Sequence, residues 1–210
     1  MKSLIVNKIK PIEGSHTYFS LQQQLKDLHW HFIDECNWPE EFPYTPRCEF
    51  QIAHTATQIV LHYKVKEEYV RALAIRHNED IWKDSCVEFF ISLDEKKTYY
   101  NFEFNVVGAG IIGYGTAEKS NRARLNSEII DQVDVFSAIQ GKIENKQWGI
   151  ILVIPIEILE LNEISGKRMH ANFYKCGDDL PQAHYISWNS IKNETPNFHL
   201  PEYFGEIEFE

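Results

Sequence analysis

A chain of 210 residues that is 43% apolar and 13% aromatic can build a full hydrophobic core, and its composition excludes a disordered polymer. Its 21 basic and 31 acidic residues give a formal charge of −10, which disfavours nucleic acid and anionic membranes as partners. No apolar run reaches the roughly 18 residues of a membrane span. Leu4 to Val6 is too short for a secretory segment, so the chain reads as cytoplasmic as given, or as secreted or periplasmic if a leader has been trimmed.

Taken in order, Lys2 to Pro11 alternates weakly, as an edge strand would, and Ser20 to Leu28 carries a capping serine with leucines at helical spacing. Trp30 to Ile33 is a brief strand candidate. Three prolines make Cys36 to Pro46 a loop. Arg47 to His54, Gln58 to Val65 and Tyr69 to Arg76 alternate with the period of a strand.

The stretch from Ile81 to Gly108 is the strongest signal. Val87, Phe89, Ile91 and Leu93 share one face of its first arm, and Trp82, Asp84, Cys86, Glu88 and Phe90 the other. A short polar turn follows. In the second arm Tyr100, Phe102, Phe104 and Val106 oppose Asn101, Glu103 and Asn105. Pairing Leu93 with Thr98 closes a hairpin that sets Glu88 opposite Glu103 and Cys86 opposite Asn105. One face is then apolar and the other rich in carboxylates and amides, which marks a site. Two opposed carboxylates repel, so a cation, a shared proton, an arginine or a ligand must offset them, and Arg122 and Arg124 in the following polar loop are the nearest candidates.

Downstream, Ile111 to Thr116 and Val133 to Ile139 read as strands, Trp148 to Ile154 as a strand buried on both faces, and Pro155 opens a short helical segment. Arg168 to Cys176, His184 to Trp188 and Ile207 to Phe209 complete the set. About ten strands and one or two short helices predict an all-β fold, an antiparallel β-sandwich of jelly-roll type. No linker or repeat divides it, so residues 1–210 read as a single domain. The four cysteines lack metal-finger spacing and read as buried free thiols, with a Cys36–Cys48 bridge as the other option.

IWKDSCVEFF followed by YYNFEFNVVG resembles the W-x-D-[ST]-x-V-E-[VF]-F core of the family 9 carbohydrate-binding modules. MHANFYKCGD, HYISWNSI and FHLPEYFGEIEF, with its P-x-x-F-G ending, are similar to the family's later strands in the same order. The resemblance runs from Arg71 to the C-terminus. It implies a sandwich that holds the end of a xylan or β-glucan oligosaccharide or polysaccharide between two tryptophans, without covalent chemistry. Structural calcium is also implied, with no ligands that align here. Trp82 matches the first clamp tryptophan and Trp188 the second, Glu88 matches a glutamate that bonds sugar hydroxyls, and Asn101 and Glu103 fall where the neighbouring strand supplies polar contacts. Near Trp188 the family tends to carry an amide, whereas this chain has Tyr185 and then Asn189.

A pyranose presents an apolar C–H face and a rim of hydroxyls, so aromatic plates and fixed polar groups suit it. Trp82 and Trp188 can supply plates, and Glu88, Asn101, Glu103 and Asn105 a rim. Each tryptophan also suits simple core packing, and Asp84 suits a loop-holding role. The alternative is a glycan hydrolase using Glu88 and Glu103, since a cross-strand pair can meet the roughly 5–5.5 Å of a retaining enzyme. A haem-binding relative would need an axial methionine, for which the internal candidate is Met169. Asp178 and Asp179 form an acidic turn with oxygen donors suited to calcium.

Overall fold

The computed structural model describes residues 1–12, 14–142 and 145–210. The chain begins with β1 (Ser3–Lys8), α1 (Tyr18–Gln24), β2 (His31–Ile33) and β3 (Glu35–Cys36). Then come β4 (Arg47–His54), β5 (Gln58–Glu67), the hairpin β6 (Cys86–Ser92) and β7 (Tyr99–Asn105), β8 (Gly110–Gly115) and β9 (Arg122–Arg124). Helix α2 (Ser127–Ile130) precedes β10 (Asp134–Lys142), β11 (Asn145–Pro155), β12 (Arg168–Cys176), β13 (Tyr185–Ser187) and β14 (Gly205–Phe209).

One layer runs β10-β11-β5-β4 and the other β14-β12-β6-β7-β8-β9, with β1 joining them. Strand β1 pairs in parallel with both β4 and β14, while the remaining ladders are antiparallel. This corrects the edge-strand expectation for Lys2 to Pro11. Only Leu4 and Val6 of β1 turn into the core, so its alternation is weak even though both of its flanks are hydrogen-bonded.

The sandwich interior forms where the inward faces of the layers meet. Phe50 of β4 stacks on Phe173 of β12 at 3.9 Å, and Phe173 stacks on Phe89 of β6 at 5.1 Å. Val87, Phe89, Phe102 and Phe104 are all buried there, as the period of two requires. At one end of this layer Lys175 and Glu67 meet at 3.0 Å with both side chains fully buried. Lys175 also donates to the carbonyl of Cys176 at 2.6 Å and to Nε2 of His184 at 2.7 Å, and Trp148 Nε1 donates to Glu67 at 2.6 Å. A lysine can only donate, so His184 is the Nδ1–H tautomer, and that N–H faces the carbonyl of Gln182 at 2.9 Å. Burial first, then the Lys175 charge, lowers the His184 pKa to about 3.

Two further expectations change. Tyr69 to Arg76 is irregular beyond the end of β5, because the Asp84 carboxylate takes the place of a partner strand. It accepts from the backbone N–H groups of Leu73 and Ala74, each at 2.9 Å, and from Arg71 at 2.8 Å. The loop-holding role of Asp84 is therefore observed. The first helix starts earlier than Ser20, since Thr17 is its N-cap and Ser20 completes the reciprocal capping pair.

Helix α1 is pinned to the outer side of β4 and β5 by a buried polar chain. Gln51 Nε2 donates to the carbonyls of Leu25 and Leu28, which turns its Oε1 toward His62 Nδ1 at 3.0 Å. The Tyr18 hydroxyl lies 3.0 Å from His62 Nε2. Burial lowers the His62 pKa from 6.5 to about 3. Between those values the unfolded chain binds a proton that the folded chain refuses, so stability rises with pH through this window and is lost as pH falls. The urea midpoint of His62→Asn should lie below that of the native chain at pH 7, and the gap should shrink by pH 5. The comparison cancels His184, whose lowered pKa acts in the same sense, and the buried carboxyls Glu103 and Asp178, whose raised pKa values act in the opposite sense. A gap of the same size at both pH values would remove His62 as the cause.

Candidate functional site

Strands β6 and β7 pair as the hairpin spacing requires, with Glu88 opposite Glu103 and Cys86 opposite Asn105. The polar face of this pair is not open to solvent. Phe90 and Tyr174 on that side are covered by the segments before β4 and after β13, and Tyr174 stacks on Phe198 at 4.2 Å. Trp38 Nε1 donates to the carbonyl of Asn193 at 2.8 Å and ties the two covering segments together. The cover leaves a gap. A cleft of about 660 Å³ remains over β6, β7 and β8, within the size range of small-ligand sites.

Six of the eight residues picked out from the sequence line this cleft: Trp82, Glu88, Asn101, Glu103, Arg122 and Arg124. Trp82 lies on a single 3-10 turn, Ile81–Lys83, just before β6, and is half-buried with the Arg124 guanidinium 5.5 Å from its ring. Asn101 Nδ2 donates to Glu103 at 2.8 Å, and Asn101 Oδ1 accepts from Arg122. Gly113, opposite Asn101 on β8, is needed there: a Cβ at this position would stand 2.5 Å from Asn101 Oδ1. Arg122 also donates to the carbonyls of Gly115 and Thr116 and packs 3.9 Å from the centre of the Tyr99 ring. Its guanidinium is thus fixed as a brace beneath the amide.

Two of the eight fall elsewhere. Trp188 is 3% exposed and sits in the sandwich interior, edge-on to Phe173 at 5.5 Å and to Phe50 at 6.2 Å. The two-tryptophan clamp is therefore corrected. Beyond Ser187 the backbone stays paired, with Trp188 N–H on the Phe173 carbonyl at 2.8 Å, so Ile186 and Trp188 both face the core. Tyr185 has the opposite parity and lines the cleft instead. Asn105 is fully buried and holds the neighbouring loop: its Nδ2 donates to Ala74 and Asp84, and its Oδ1 accepts from the N–H groups of Val107 and Ala109.

The opposed carboxyls are accommodated rather than bare. Glu88 is 4% exposed and accepts from the Cys176 thiol at 3.1 Å. Burial first, then the nearby Cys176 and Glu103, pushes its pKa well above the usual carboxylate range. Glu103 is pushed up to about 7 by burial, against the pull of Asn101 and the two arginines. The pair need not carry two charges at once.

Several lining residues escaped the sequence reading as ligand contacts. Asp178 and Tyr185 form one wall, and burial raises Asp178 to about 6. His199 lies on the rim with its Nδ1 at 2.8 Å from the Tyr99 hydroxyl. The strand parity of Tyr185 was the available signal for it, whereas His199 sits in a loop with no periodicity. The two carboxyls of the acidic turn diverge: Asp178 lines the cleft while Asp179 reaches Arg71 at 3.5 Å. Met169 is packed in the sandwich interior. Cys36 and Cys48 are both free, Cys48 buried and Cys36 half-buried.

A β-sandwich with an aromatic and carboxyl-lined cleft above one hairpin has the form of a small-ligand binding module. Residues 20–209 match the model of carbohydrate-binding family 9, and the chain belongs to that family. A crystal structure of a Bacteroides uniformis protein, described provisionally as carbohydrate-binding, is 37% identical with a TM-score of 0.91, covering 100% of this chain and 99% of that one. A family 9 module from Caldicellulosiruptor kristjanssonii, solved in complex with glucose, shares the fold at 12% identity and TM-score 0.60, over 100% of this chain and 96% of that one. The same module solved with cellotriose gives the same TM-score of 0.60. An extracellular protein of Arthroderma benhamiae is 21% identical over 184 residues, 81% of this chain and 82% of its own length.

Proposed function

We propose that the chain binds the end of a gluco-configured oligosaccharide in the cleft over β6 and β7, without covalent chemistry. The observation that carries this reading is the convergence of Trp82, Asn101, Glu103 and Asp178 on one gap in an otherwise closed outer face. Trp82 offers an aromatic plate for the C–H face of a pyranose, and Tyr185 lines the same cleft. Glu103, oriented by Asn101, is a fixed acceptor for hydroxyls, and Asp178 on the cleft wall offers a second carboxyl. The bracing of Asn101 by Arg122 means that little side-chain freedom is lost on binding. Family membership supports the ligand class, as do the glucose and cellotriose complexes of the Caldicellulosiruptor module.

Calorimetric titration with glucose and cellotriose tests this. Saturable binding is expected, and Glu103→Gln should weaken it roughly tenfold or more, the loss of about one charge-assisted hydrogen bond. Full affinity in Glu103→Gln would take the site away from this cleft. No binding of either sugar at millimolar concentration would overturn the ligand class.

A further inference from the structure

The floor of the cleft holds a group of side chains that sugar binding does not use. Strands β6 and β12 are antiparallel neighbours in a register that sets Cys176 opposite Cys86 and Tyr174 opposite Glu88. Cys86 and Glu88 are two residues apart and so project on the same face of β6, beside Cys176. The result is two thiols and a carboxyl whose donor atoms all lie within 4.8 Å of one another, each buried. Cys176 and Glu88 form part of the cleft lining, and Cys86 lies behind them.

We propose that Cys86, Glu88 and Cys176 form a binding site for a thiophilic divalent cation of the zinc class, with one coordination position open toward the cleft. Zinc bonds of about 2.3 Å to sulfur and about 2.0–2.2 Å to oxygen set tetrahedral edges of about 3.6–3.8 Å, which small rotamer adjustments of these three side chains can reach. Two sulfurs select against calcium and magnesium, which take oxygen cages. Binding exchanges protons for the metal: two thiol protons leave, together with the Glu88 proton when that carboxyl is protonated. Two thiolates, one carboxylate and a divalent cation leave one net negative charge. Lys175, on the far side of β12, is the positive charge that acts on Cys86 and Cys176, and it is shared with Glu67. Glu88 and Cys176 line the same cleft as Asp178, so water or a ligand oxygen from the cleft would complete the site. This reading is independent of the sugar reading, because none of its three ligands is required as a hydroxyl contact.

Directly opposed cysteines can also join as a disulfide, and three protonated acids can simply hydrogen-bond to one another, so the test must separate these. Metal-stripped full-length protein, kept reduced with a phosphine, is titrated with Co²⁺. The expected result is a near-ultraviolet thiolate-to-cobalt charge-transfer band that saturates at one ion per chain and is displaced by Zn²⁺ but not by Ca²⁺. Cys86→Ser and Cys176→Ser should each lose the tight site, Glu88→Gln should weaken it, and Cys36→Ser, outside the cluster, should keep it. Thermal melts of each variant without metal show whether a loss reflects unfolding. The wild-type titration stands on its own if a variant fails to fold. Absence of the band in reduced wild-type protein, or a band that survives in both cluster serine variants, overturns the proposal. So does a protein that oxidises in air to a Cys86–Cys176 disulfide and binds no metal when reduced. Sugar titrations on the same samples report separately, so failure of one reading leaves the other to be judged on its own data.

Discussion

Lys175→Met should lower the unfolding free energy by about 3–5 kcal/mol, because it leaves the Glu67 carboxylate buried with no counter-charge. For a chain of this size that is a fall of roughly 6–20 °C in melting temperature. The Lys175 ammonium is fully enclosed by Glu67, the Cys176 carbonyl and His184, so no water can replace it. The double variant Lys175→Met with Glu67→Gln should recover much of the loss, since it removes the charge that the single change strands. Chemical denaturation of the four proteins of this cycle gives the coupling. A cost below about 1 kcal/mol for the single change would mean that solvent reaches Glu67 once the lysine is gone.

The second large effect separates two tryptophans that the sequence treats alike. Trp188→Ala should cost about 3–5 kcal/mol, the price of emptying a packed interior position, and should leave sugar affinity per folded molecule unchanged. Trp82→Ala should do the reverse, with a stability change of about 1 kcal/mol and at least a roughly tenfold loss of affinity for cellotriose. The contrast follows from position: the Trp188 ring meets Phe50 and Phe173 between the sheets, whereas Trp82 is half-buried beside Arg124 at the cleft. Parallel urea titration and calorimetry on both variants reads it. A Trp82→Ala protein that melts far lower, or a Trp188→Ala protein that is stable but binds no sugar, would reverse the assignment.

That contrast also shows where sequence reading reaches its limit. The hairpin was legible because a period of two over two long arms fixes both facing and register, and Glu88 and Glu103 are paired as that period demands. Trp188 was misplaced because a motif gives residue type and order but not parity. Its strand is only three residues long, and the extra backbone bond to Phe173 carries the inward set one residue past its end. Asn105 has the parity of Glu103 but lies at the end of β7, where the neighbouring loop's N–H groups occupy its Oδ1 and the Asp84 carboxylate its Nδ2. The cover over the polar face was not legible at all. Phe198 and Trp38 come from loops without periodicity, and only packing shows that they roof β6 and β12. The seam strand β1 escaped for a related reason, because pairing on both flanks leaves no mark on a strand with two inward residues.

On the proposed function the cleft beside Trp82 receives the sugar. The most direct measurement is a titration of ¹⁵N-labelled protein with cellotriose, following the indole N–H resonances of its five tryptophans. The Trp82 indole should shift and saturate with the calorimetric affinity, together with backbone amides of Asn101 and Glu103, while the Trp188 indole stays where it was. Saturable binding that leaves Trp82, Asn101 and Glu103 unmoved and shifts another surface of the sandwich would contradict the account.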